Sequence, residues 1–129
     1  MTIELKMLGW AIVLGFVNVF AAAGMATYER GLMWNAGNRD GDPKPLSGPV
    51  ARAGRASSNF LETFPFFAAA VLAVVLAKEN SARTALGAEV YVWARAAYLP
   101  IYIVGIPYLR TLVYAVSIWG ILQLLLVLL

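Results

Sequence analysis

Hydrophobic and polar positions fall into long blocks along the chain rather than into a short alternation. Met7 to Tyr28 carries no Asp, Glu, Lys or Arg, which is long enough for a helix to cross a bilayer at about 20 residues per span. From Glu29 the pattern turns polar, with Asn35, Gly37, Asn38, Arg39, Asp40, Gly41, Asp42, Pro43, Pro45, Gly48 and Pro49 supplying turn and loop chemistry. A second apolar stretch runs to Ala77, broken by Glu62, and its helix has room to begin near Val50. A third, Thr84 to Ile106, contains Glu89 and Arg95 and stops at Gly105 and Pro107. The fourth, Thr111 to Leu129, is uncharged. The expectation is a single domain, 1–129, that is an all-α integral membrane four-helix bundle. Its spans lie near 5–28, 52–77, 84–106 and 110–129, with one polar loop at 29–51.

Composition supports this and narrows the chemistry. Of 129 residues, 61% are hydrophobic and 13% charged, against about 45–50% and 25% in soluble domains. Ala21-Ala22-Ala23 resembles a signal-peptide cleavage region, but the apolar run before it is longer than an h-region, so the first segment is read as a retained span. The net charge of +3 orients the chain in a membrane and does not point to nucleic acid. Arg30, Arg39, Lys44, Arg52, Arg55 and Arg110 fall on the loop side, against Lys6, Lys78 and Arg83 opposite. By the positive-inside rule the loop is cytoplasmic and both termini are not. With neither cysteine nor histidine, disulfides, thiol nucleophiles, imidazole catalysis and Cys/His metal sites are excluded.

The charges inside the spans are the unusual feature. Taking 100° per residue, Arg52, Arg55, Asn59 and Glu62 lie within about 80° of one another on the second helix. Tyr91, Arg95, Tyr98 and Tyr102 recur at i, i+4, i+7 and i+11 on the third, and Arg110 opens the fourth on the same membrane side. Polar groups at this depth face a bundle interior, a cavity or another subunit. Each has an ordinary alternative. The arginines can anchor at the interface by snorkelling, Glu62 can pair with Arg95 or Arg55, and the tyrosines can belong to an aromatic belt. Convergence of all of them at one end of the bundle favours a pocket.

The run Arg52-Ala53-Gly54-Arg55-Ala56-Ser57-Ser58-Asn59-Phe60-Leu61-Glu62-Thr63-Phe64-Pro65 resembles the signature of the MAPEG family, membrane-associated proteins in eicosanoid and glutathione metabolism. Arg95-Ala96-Ala97-Tyr98-Leu99-Pro100-Ile101-Tyr102, leading to Arg110-Thr111, is similar to the family's third helix and the start of its fourth. The likeness is to a bacterial-type, microsomal glutathione transferase-like member. It implies a homotrimer with glutathione, as co-substrate, between subunits near the cytoplasmic side. By motif position, Arg55, Asn59 and Glu62 would hold it from the second helix, with Arg52 beside them. Arg95, Tyr98 and Tyr102 would line the pocket from the third, Arg30 would bind from the end of the first, and Arg110 would stabilise the thiolate. The second substrate would be a lipophilic electrophile arriving from the membrane lipids.

There are departures from the pattern. Ser57 and Ser58 stand where many relatives carry His or a basic residue, and Thr63 replaces an aromatic found in some synthases. Family likeness alone does not establish catalysis, so a non-enzymatic lipid-binding or scaffold protein of the same fold is the alternative. A small proton-coupled multidrug transporter also fits the length, but it would place an acid within the first span, where none occurs.

Overall fold

A computed structural model describes residues 1–129. It is all-helical: α1 (Ile3–Arg30), α2 (Leu32–Ala36), α3 (Gly48–Ala77), α4 (Ala82–Val104) and α5 (Pro107–Leu126). Local chemistry sets the ends. The Thr2 hydroxyl accepts from the Leu5 N–H at 3.3 Å to cap α1, and Gly31, at φ 95°, stops it. Pro49 stands in the first turn of α3, where a missing N–H costs nothing. Ser81 and Thr84 form a reciprocal capping box at the start of α4, and Gly105, at φ 92°, ends it.

Two features depart from the pattern read along the sequence. The expected loop 29–51 contains a short helix, α2, and α3 begins earlier than position 52, at Gly48. At 1.5 Å per residue, the 30 residues of α3 extend about 45 Å, beyond the roughly 30 Å hydrocarbon core. Its first turns, with Arg52 and Arg55, therefore have length to spare outside the core. Three helices, α1, α3 and α5, are long and apolar enough to cross a membrane. α4 has comparable length at 23 residues, but Arg83, Glu89 and Arg95 dilute its apolar character. It instead buries a polar stripe against its neighbours, including Thr84, Tyr91, Arg95, Tyr98 and Tyr102.

The main core gathers Ala11, Phe67, Val71, Val74, Ala88, Tyr91, Ile121 and Leu124 from all four long helices. Tyr91 stacks on Phe67 at 4.0 Å between ring centroids, and its hydroxyl lies 3.0 Å from Thr63 Oγ1. Tyr91 is thus a core residue, and Thr63 supplies the polar partner that a buried phenol needs. At the opposite end, the Thr84 hydroxyl donates to Glu4 Oε2 at 2.6 Å, tying the start of α1 to the start of α4. α4 packs most extensively on α5, whereas α3 and α5 touch least of the long-helix pairs in contact. The gap between α3 and α5 is where the clefts lie.

Candidate functional site

The periodicity of α3 brings Arg55, Asn59 and Glu62 to its side of that gap. α4 contributes Tyr98 and Tyr102 and α5 contributes Arg110, so these six candidates line one open cleft of about 750 Å3. This volume is within the range of small-molecule sites. Leu46, Ser58, Thr111 and Tyr114 also line it and were missed in the sequence. Tyr114 had a signal, since it stands one helical turn beyond Arg110 and so shares its face.

Tyr102 organises the cationic wall. Arg55 Nε donates to its hydroxyl at 3.2 Å, while the Arg110 guanidinium lies 4.5 Å from its ring centroid. The ring is therefore held at its rim by one arginine and at its face by another, a contact favoured by the negative potential of the aromatic face. Tyr98 meets Tyr102 edge-on at 5.5 Å. Glu62 is exposed on the cleft and hydrogen-bonds to neither Arg55 nor Arg95, the interhelical partners considered for it.

The other three candidates sit elsewhere. Arg52 donates through Nε to the Ile103 carbonyl at 3.0 Å and lines an adjoining hollow of about 190 Å3 with Arg55, Tyr102 and Arg110. Arg95 lies behind the cleft. It is 1% exposed and donates through Nη1 to Asn59 Oδ1 at 2.8 Å, with Tyr98 and Phe60 rings 4.3 and 5.5 Å from its guanidinium carbon. Arg30 is outside the cleft. Its Nε donates to the Lys44 carbonyl at 2.9 Å, and it lines a small hollow with Trp34, Asn35 and Arg39.

A second groove of about 630 Å3 continues along α3 and α5, sharing Glu62 and Tyr114 with the first. Ten of its twelve lining residues are hydrophobic, among them Phe66, Ala69, Ile118 and Leu125. The polar cleft thus opens directly into an apolar one. Arg55 and Arg110 against Glu62 leave the lining of the first cleft with one excess positive charge. Such a surface suits a ligand with two anionic groups and one cationic group.

No cluster of metal-ligating side chains is present. No curated protein and no solved structure matches the chain. The sequence profile of the MAPEG family matches residues 7–129, nearly the whole length. With its span-length apolar helices and its Arg55, Asn59 and Glu62 stripe on an open cleft, the chain belongs to the MAPEG family.

Proposed function

We propose that the protein binds glutathione and uses its thiol on a lipophilic electrophile, as a membrane glutathione transferase or peroxidase. The observation that carries this reading is the convergence of Arg55, Asn59, Glu62, Tyr98, Tyr102 and Arg110 on one cleft in a chain of this family. Glutathione has two carboxylates and one ammonium. Arg55 and Asn59 bind a carboxylate, Glu62 takes the ammonium, and Tyr98 and Tyr102 close the pocket from α4. Arg52 extends the basic rim, and Arg95 supports the pocket from behind. Arg30 is available to the cleft of an adjacent protomer, in keeping with a homotrimer of four-span subunits. The loop 29–51 faces the cytoplasm and the termini face the other side.

Arg110 is the catalytic residue in this reading. A cysteinyl thiol ordinarily titrates near about 8.5, and a neighbouring guanidinium favours the thiolate. In conjugation the proton passes to water, the thiolate forms a carbon–sulfur bond, and the bond from that carbon to its leaving group breaks. With a hydroperoxide, two glutathione thiols supply the electrons that cleave the oxygen–oxygen bond, giving the disulfide, an alcohol and water. The apolar groove beyond Glu62 and Tyr114 receives the hydrocarbon part of the electrophile.

Calorimetric titration of glutathione into the purified protein, with Arg55→Ala and Arg110→Ala beside the parent, tests the reading. Binding by the parent, weakened by Arg55→Ala, is expected. Absence of binding by the parent overturns it, while binding with conjugation unchanged in Arg110→Ala removes only the catalytic assignment.

One observation favours a second reading, a non-enzymatic lipid-binding scaffold. The apolar groove alone is large enough for a lipid chain and needs no thiol. Lipid retained by a parent that binds no glutathione would support it.

A further inference from the structure

We propose that Arg95 is a positioning residue that locks the Asn59 amide with its NH2 toward the cleft, so that this position accepts carboxylate or carbonyl oxygens and rejects ammonium groups. The inference rests on the glutathione reading and adds the polarity of one contact.

A guanidinium carries only donors. The Asn59 atom 2.8 Å from Arg95 Nη1 must therefore be oxygen, since the flipped amide would set donor against donor. The usual ambiguity of an asparagine side chain is removed by its partner's chemistry.

Arg95 has little freedom to release it. The side chain is 1% exposed, lies against the Tyr98 and Phe60 rings, and its Nε and Nη2 have no hydrogen-bond partner. Asn59 Oδ1 is thus the single hydrogen-bond acceptor of a buried cation, and losing it would strand the charge. Asn59, in turn, lines the cleft. With its oxygen turned toward Arg95 behind the cleft, the NH2 is the group left to meet a ligand there.

The consequence is a fixed order of polarity along α3. Asn59 offers donors, and Glu62, three residues on, offers acceptors. A ligand's carboxylate is directed to the first and its ammonium to the second. Arg95 sets this order without touching the ligand.

Three substitutions test the proposal by calorimetry, steady-state kinetics and thermal melting of the full protein. Asn59→Asp keeps an oxygen for Arg95 but removes the NH2. We expect unchanged or higher melting, about tenfold or more weaker glutathione binding and a correspondingly raised KM, as for a lost hydrogen bond to a charged group. Its kcat should stay near that of the parent. Arg95→Met frees the amide and should raise KM with little change in kcat, and Arg95→Lys, which restores one donor, should recover most of the loss. In the Asn59→Asp background, Arg95→Met should add less to KM than it does alone, because both act through one contact.

If Arg95→Met fails to fold, Asn59→Asp and Arg95→Lys decide the matter. Parental binding by Asn59→Asp, or a lowered melting temperature with unchanged KM in the Arg95 variants, would overturn the proposal. A parent that binds no glutathione overturns the functional reading and this inference together. Binding by the parent that is matched by all three variants overturns the inference alone.

Discussion

Gly87 on α4 and Gly120 on α5 meet backbone to backbone: a Cβ placed on either would lie 2.6 Å from the other's carbonyl oxygen. Neither helix can supply the missing space by moving a side chain alone, because the nearest obstructing atom on each side belongs to the main chain. Gly120→Ala should therefore destabilise the protein by about 1–3 kcal/mol through overpacking, read as a lower melting temperature in detergent. Gly24→Ala, where a Cβ meets nothing within 4 Å, should leave melting unchanged or slightly raised.

The tie between Glu4 and Thr84 gives a second stability prediction. Both residues are buried, at 3% and 0% exposure, and the bond joins chain segments 80 residues apart. Glu4→Leu should lower melting by an amount equivalent to about 1.5–3 kcal/mol, the contribution of a hydrogen bond to a charged group. Glu4→Gln, which keeps an acceptor for the Thr84 hydroxyl, should lose less.

Tyr102 touches both arginines of the cleft, so its hydroxyl and its ring are separable. Tyr102→Phe removes the Arg55 hydrogen bond and keeps the ring that Arg110 faces. It should weaken glutathione binding by up to about tenfold with conjugation kcat nearly intact. Tyr102→Leu removes both and should lower kcat as well. Equal kcat values for the two variants would show that the ring does not hold Arg110 for chemistry.

Because the chain contains no cysteine, an introduced one is the sole thiol, and the proposed orientation can be read directly. Cysteine at Arg39→Cys should react with a membrane-impermeant maleimide from the cytoplasmic face, and Lys78→Cys from the opposite face. Labelling of both from one side would refute the orientation.

Much of the site was legible because charge inside an apolar helix is conspicuous and the 100° step of a helix is fixed. That step sets Arg55, Asn59 and Glu62 on one stripe with Arg52, whose side chain reaches the Ile103 carbonyl beside the cleft. Arg95 was equally conspicuous, but periodicity gives the face of a helix and not what stands between that face and the cleft. Asn59 stands there. Tyr91 has the same spacing as the cleft tyrosines, yet the Phe67 ring and the Thr63 hydroxyl draw it into the core. Tyr114 lies in a segment that reads as uniformly apolar, so its helical spacing from Arg110 is its one signal. The helix Leu32–Ala36 was hidden because its five residues sit among turn formers. Arg30 is placed by family resemblance alone, and its Nε meets the Lys44 carbonyl on the loop that follows. Nothing in the local pattern of either residue signals that pairing.

The glycine contact also turns α5 into a lever. The helix is pressed to α4 at Gly120, whereas Arg110 sits ten residues away, about 15 Å along the axis, beside the loosely packed gap with α3. A tilt of about 4° around the contact displaces Arg110 by about 1 Å at that radius. Any substitution that reseats Gly120 against Gly87 is thus carried along α5 to the cleft at Arg110.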